Sequence, residues 1–152
     1  MTHRGLRHKA VLLVFILSTL LVISLGAHGP KDWPVPEAAK KRPNPMPAGP
    51  AALKAAAPIY AEKCSQCHGD TGKGDGPEAE MYNTKPANFT DAPMMAEMTD
   101  GEIYYKMTEG RRPMPTFKKQ LTEQQRWQLV HFIREFAAKS DGKKPAAPHK
   151  QE

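Results

Sequence analysis

The chain has 152 residues, a formal net charge of +6 and only two cysteines. Three of those positive charges belong to Arg4, Arg7 and Lys9, and the body from residue 10 carries 19 basic against 16 acidic residues. A balance of +3 without a recognition motif excludes the strong basic field of a nucleic-acid binder.

Residues 1–9 contain no acid, and residues 10–27 (AVLLVFILSTLLVISLGA) contain no charge. Eighteen helical residues rise about 27 Å, close to the ~30 Å hydrocarbon core of a bilayer. The basic flank comes first, which predicts a cytoplasmic N-terminus and an exported body. A cleaved signal peptide is the competing reading, with Ser24 and Gly26 as the small residues at its cleavage site. The apolar run exceeds the usual signal core of about 7–15 residues, and no clear A-x-A follows it. Residues 1–27 are therefore read as a single N-terminal transmembrane anchor, with secretion to the periplasm as the alternative. No cysteine lies near the end of the run, which excludes a lipoprotein anchor.

Residues 28–50 hold seven prolines from Pro30 to Pro50. Proline fixes φ and removes a donor, so neither helix nor sheet propagates. The stretch is read as an extended linker, reaching up to ~65 Å at ~3.1 Å per residue. A single domain is expected over 51–140, and 141–152 reads as a polar tail. A domain of this size buries a thin core.

A first helix is expected over about 51–67. It is alanine-rich, with Leu53, Ala56, Ala57, Tyr60 and Ala61 at helical spacing and Pro58 as a start or kink. It ends in Cys64-Ser65-Gln66-Cys67-His68, the C-x-x-C-H sequence of covalent haem attachment. Thiols three positions apart lie about one helical turn apart and share a side. They can add across the two vinyl groups of one porphyrin, while the next imidazole reaches the iron as proximal ligand. A thioredoxin-like pair would need a flanking βαβ pattern, and zinc would need further regularly spaced ligands. Neither is present in the sequence.

Glycines and prolines over 69–93 indicate loops, and Met94, Met95 and Met98 fall in a loop that follows. A second helix is expected over about 100–108. Thr99-Asp100-Gly101-Glu102 is a capping box, Ile103 and Met107 share a face, and Gly110 is a stop signal. Then comes Arg112-Pro113-Met114-Pro115, where flanking prolines preorganise a thioether. Electron-transfer haems usually close the sixth iron position, often with methionine. Met114 is the expected sixth ligand. Met94, Met95 and Met98 are alternatives, Met107 faces the core, and Met81 follows His68 too closely to cross the ring. A second imidazole is the minor option: His3, His8 and His28 precede the domain, His149 lies in the tail, and His131 reads as a packing residue.

A third helix is expected over about 123–138. Thr122 to Gln125 forms a second capping box, Leu129, Phe132, Ile133 and Phe136 line one face, and Lys139 and Gly142 mark the end. No convincing strand is expected. The fold class is all-α, with three main helices around one covalent haem.

Over about 52–138 the chain resembles the class I c-type cytochromes, in their small bacterial monohaem form with a membrane anchor. The resemblance rests on Ile59 through Gly69, on Gly74-Asp75-Gly76-Pro77, on Pro113-Met114-Pro115 and on the terminal amphipathic helix. It implies that the first and last helices cross beside the haem, with Tyr60 meeting Phe132 and Ala56 permitting close approach. It also implies a proline carbonyl bonded to the other nitrogen of His68, from Pro77 or Pro86. Such a bond orients a ligand ring.

The expected function is extracytoplasmic transfer of single electrons between membrane redox partners, with no catalytic site and no nucleic acid. The alternative is a permanent cytochrome subunit of a larger membrane oxidoreductase. Charge is uneven along the domain: residues 60–110 carry ten acids against four bases, and 111–150 ten bases against three acids. Arg111, Arg112, Lys118 and Lys119 bracket Met114, where steering of an acidic partner competes with two plainer readings, ordinary solvated charges or an arginine paired with a haem propionate.

Overall fold

A computed structural model describes residues 33–140 and 142. The expected anchor at 10–27 and nearly all of the tail lie outside these residues. Among the described residues no helix is long and apolar enough to cross a membrane. The body from Val35 contains α1 (Glu37–Lys40), α2 (Pro50–Lys63), α3 (Ser65–His68), a 3₁₀ turn (Ala79–Met81), α4 (Ala92–Glu97), α5 (Asp100–Glu109) and α6 (Glu123–Ser140). Among the described residues there is no strand, only an isolated bridge between Arg111 and Met114.

α2 and α6 form the principal helix pair. Pro50 starts α2, where its missing N–H costs nothing. The buried face is Ala52, Ala56 and Tyr60, at four-residue spacing. This narrows the expected face, because Leu53 and Ala57 are half-buried and Ala61 is exposed. Two alanines allow the α6 backbone to approach, and Ala56 is wholly enclosed. Above them the Tyr60 and Phe132 rings meet at 5.1 Å, the contact that the resemblance implied. Phe136 joins both, at 5.1 Å from Tyr60 and 5.4 Å from Phe132.

Both capping boxes form, one of them in full. Thr122 Oγ1 accepts from Gln125 N (3.2 Å), and Gln125 Oε1 accepts from Thr122 N (2.8 Å). Thr99 Oγ1 accepts from Glu102 N (3.1 Å), but Glu102 turns along α5 to pair with Lys106 (2.7 Å). α6 buries Arg126, Trp127, Leu129, Val130 and Ile133, while Phe132 and Phe136 stay half-buried.

Met94 and Met95 lie on α4 rather than in a loop. Asp91 caps that helix by accepting from Met94 N (3.0 Å). Six residues are too few for a periodic pattern to declare itself.

The proline-rich stretch also differs from a free spacer in its later half. From Val35, which is buried, the chain lies on α5 and α6. One helical turn, α1, interrupts the extended backbone expected here, and the carbonyls left open at its end and beyond it are used by the body: Lys40 O accepts from Thr99 Oγ1 (2.7 Å), and Met46 O meets His131 Nε2 (2.9 Å). Asn44 Nδ2 donates to Trp127 O (3.2 Å). Arg42 lies over the stacked rings of Tyr104 and Trp127 and pairs with Glu123. Gly101 makes room, since a Cβ there would stand 2.0 Å from Ala39 O.

Candidate functional site

The C-x-x-C-H segment continues from α2 with a single break at Cys64. Cys64 N still donates to Tyr60 O (2.9 Å), and a new turn starts as His68 N donates to Cys64 O (2.9 Å). Ser65 is buried and donates its hydroxyl to Ala61 O (2.8 Å), which locks the turn to α2. Cys64, Cys67 and His68 are thereby carried on consecutive helical turns. Cys64 also packs on the apolar core.

The loop after His68 folds back over this turn. Gly74 N donates to His68 O (2.8 Å), Gly76 N to Cys67 O (3.1 Å) and Glu78 N to Gln66 O (2.8 Å). Phe89 N then reaches Gly72 O (2.7 Å). Gly74 permits the close pass, because a Cβ there would stand 2.6 Å from Pro86 O. The result is a backbone carbonyl beside the imidazole: His68 Nδ1 lies 3.2 Å from Ala87 O. The expected support from Pro77 or Pro86 is thus corrected by one residue, because the loop turns Ala87 O, not Pro86 O, toward the ring. A carbonyl only accepts, so Nδ1 carries the proton and Nε2 keeps its lone pair for a metal. The Phe89 ring stacks on the imidazole at 4.5 Å. Nothing in the spacing of the sequence marks that contact beyond an aromatic in a loop.

Burial holds His68 below its usual pKa, against the opposing pull of the Ala87 bond, and so favours the neutral ring that a metal requires. Burial, with Cys67 nearby, pushes the Cys64 thiol up to about 12. Cys67 is also raised, by burial first and then by Glu78. Both sulfurs therefore carry their protons at neutral pH, as addition across a vinyl group requires. Two thiols and an imidazole with a free Nε2 form a donor set that fits covalent haem.

A second loop runs from Gly110 to Leu121. Arg111 N donates to Met114 O (3.0 Å), closing a tight turn around a cis Arg112–Pro113 bond. Thr116 Oγ1 donates to Thr108 O (2.6 Å) and Phe117 N to Met107 O (3.2 Å), fastening the loop to α5. Met114 is half-buried against the same core cluster as Cys64, and so are Met94 and Met98. Met95 and Met107 are buried within that cluster, and Met81 is 71% exposed. An open groove of about 490 Å³ separates Tyr82, Asn83 and Thr84 from Arg112 and Pro113. Its walls come from the loop after the C-x-x-C-H turn and from the Met114 loop.

The bases of the C-terminal half are less uniformly displayed than their count suggests. Arg111, Arg112, Lys118 and Lys119 are exposed around Met114, with Lys118 paired to Glu109 (3.1 Å). Arg126 is buried, and Arg134 is half-buried between Asp100 and the carbonyls of Met95 and Met98.

No curated protein matches the chain. Among solved structures, it is 31% identical to a chain of the Kuenenia stuttgartiensis reducing HAO-like protein complex Kustc0457/Kustc0458, with a TM-score of 0.53. That match covers 60% of this chain and 46% of the other, so the similarity spans under half of that protein's length. A second structure, the KustC0563 c-type cytochrome, is 29% identical over 53% of this chain and 95% of its own, with a TM-score of 0.48. The family model described as cytochrome c matches residues 53–137, more than half of the sequence, from within α2 to within α6. With the C-x-x-C-H turn and its oriented histidine inside that span, the chain belongs to the cytochrome c family.

Proposed function

We propose that the chain is a monohaem electron carrier on the extracytoplasmic side of a membrane, held there by residues 10–27 and passing single electrons between membrane redox partners. Covalently bound haem c comes with the family, and so does electron transfer. When bound, the haem supplies an iron that cycles between ferrous and ferric. Cys64 and Cys67 would hold the macrocycle through thioethers, and His68 Nε2 and the Met114 sulfur would bind its iron. A neutral thioether favours reduced iron more than a second imidazole does, which raises the potential. The observation that carries the reading is the bond from His68 Nδ1 to Ala87 O, which fixes the ring with Nε2 available. No catalytic residue is assigned.

Met114 is supported by its half-buried place on the core and by the bonds that close its loop. Oxidised protein is expected to show the weak near-infrared sulfur–iron band. Met114→Ala should remove the band, lower the potential and admit carbon monoxide to the ferrous form while the protein stays red. If Met114→Ala keeps the band and Met94→Ala or Met98→Ala loses it, the sixth ligand lies elsewhere.

A permanent subunit of a larger oxidoreductase is the second reading, favoured by the likeness to a chain of the reducing HAO-like protein complex. Mild detergent extraction separates the two. A carrier leaves the membrane alone, whereas a subunit co-purifies with other chains at fixed ratio. Recovery in the soluble periplasmic fraction with a new N-terminus near Ala27 would replace the anchor by a cleaved signal.

A further inference from the structure

Arg126 sits on the first turns of α6 and is buried. Its Nη1 converges on three carbonyl oxygens of one turn: Leu121 (2.5 Å), Lys118 (3.1 Å) and, at the limit of bonding, Phe117 (3.4 Å). Its Nη2 donates to the Tyr104 hydroxyl on α5 (2.9 Å), and the guanidinium lies 5.3 Å from the centre of that ring. No carboxylate pairs with it among the described residues. Backbone dipoles and a phenol therefore meet a buried charge, which is a costly arrangement unless its hydrogen bonds are needed.

The turn it holds is the end of the Met114 loop. The near end of that loop is fastened to α5 by Thr116 and by the Phe117 N–H. At the far end, residues 117–121, the Phe117 carbonyl already accepts from Gln120 N (3.2 Å) and Leu121 N (3.0 Å), while Arg126 bonds the Lys118 and Leu121 carbonyls. Arg126 thereby joins the loop to α5 and α6 at once. A planar guanidinium can bond in several directions from a single buried position, which an ammonium cannot match.

We propose that Arg126 is a positioning residue for the sixth iron ligand: by clamping the 117–121 turn it governs how readily the Met114 sulfur leaves the iron. The proposal rests on Met114 being that ligand. On this proposal, release of the sulfur loosens the Thr116 and Phe117 fastenings and, with them, the Arg126 bonds to the adjoining turn, while the C-x-x-C-H turn stays intact.

The test uses full-length, haem-loaded ferric protein and imidazole as the entering ligand. At saturating imidazole the observed rate is limited by sulfur release. Arg126→Met should raise that rate about tenfold or more, as loss of charge-assisted bonds from the closed state alone would do. Arg126→Lys, which keeps the charge but not the fork, should fall between. Arg134→Met is the control, because it removes a comparable set of bonds from Asp100 and the carbonyls of Met95 and Met98. It should change the rate less than about twofold, whatever it does to global stability. The proposal is overturned if Arg126→Met stays within about twofold of the parent, or if Arg134→Met accelerates release equally. Should Arg126→Met not accumulate, Arg126→Lys decides, with an unchanged rate counting against the clamp. Met114→Ala separates the two layers. If that variant keeps the near-infrared band, the axial assignment falls and the clamp falls with it. If it loses the band while the Arg126 variants exchange normally, only the clamp is refuted.

Discussion

Gly69 closes the turn that carries Cys64, Cys67 and His68, and Gly110 opens the loop that carries Met114. Both adopt a backbone conformation open almost only to glycine, φ 77° and ψ 154° at Gly69, φ 66° and ψ 164° at Gly110. Their surroundings differ. A Cβ on Gly69 would meet the carboxylate end of Asp75 at 2.2 Å, whereas one on Gly110 would meet the backbone of Pro115 at 2.6 Å. The first side of the site is built from bonds that span a few residues of one helical path, with a loop laid over it. The second is built from a loop that has no regular structure of its own and is held by α5 and α6. A ligand on a helical turn inherits its geometry from the helix, while a ligand on a loop borrows its geometry from distant partners.

The largest expected effect tests the first side. Replacing Cys64 and Cys67 together with Ala should abolish covalent haem altogether. Acidified-acetone extraction should strip all colour, and the denatured mass should equal the polypeptide alone. Colour retained on the doubly substituted chain would remove the C-x-x-C-H turn from its role, and the comparison with it.

A middle-sized effect concerns the helix crossing on which both sides rest. Phe132→Ala removes a ring that touches Tyr60 and Phe136. A fully buried Phe→Ala costs about 3–5 kcal/mol, and Phe132 is only half-buried. We expect roughly 2–3 kcal/mol by denaturant unfolding of the haem-loaded protein, with the axial ligands unchanged. A loss below about 0.5 kcal/mol, typical of a surface change, would show that the crossing does not depend on this cluster.

The smallest effect is also the sharpest. Gly69→Ala and Gly110→Ala each impose a strained conformation worth about 1–3 kcal/mol. At Gly69 the clash can be relieved by rotating the Asp75 side chain. At Gly110 the backbone of the Met114 loop itself must move. Gly110→Ala should therefore be the more destabilising of the two, and it alone should weaken the sulfur–iron band. The reverse order, measured by unfolding and by the band, would break the distinction between a locally set side and a tertiary one.

Much of the site was legible because its signals are short-range. The C-x-x-C-H spacing, the capping residues Thr99 and Thr122 and the apolar face of α6 each depend on positions no more than about four apart, within the reach of helical geometry. The meeting of Tyr60 and Phe132 came from a family resemblance rather than from periodicity. Proline content pointed to extended backbone over 28–50, but within the described part of that stretch α1 (Glu37–Lys40) is helical, and the stretch docks on α5 and α6. Extended backbone carries unspent carbonyls, and only the neighbouring side chains decide who uses them.

What the sequence determined by itself is the attachment turn, the three long helices and membership in a helical, haem-binding class. All follow from local chemistry repeated at helical intervals. Only the tertiary structure decided that Ala87 rather than a proline supports His68. It alone laid the 35–49 arm on α5 and α6, and buried Arg126 against the carbonyls of the 117–121 turn and the Tyr104 hydroxyl. Each of these is a match between donors and acceptors far apart along the chain, or one residue out of register with a sequence rule. Spacing cannot encode such a match, because it exists only once the loops have closed and water has been excluded from the groups that must pair.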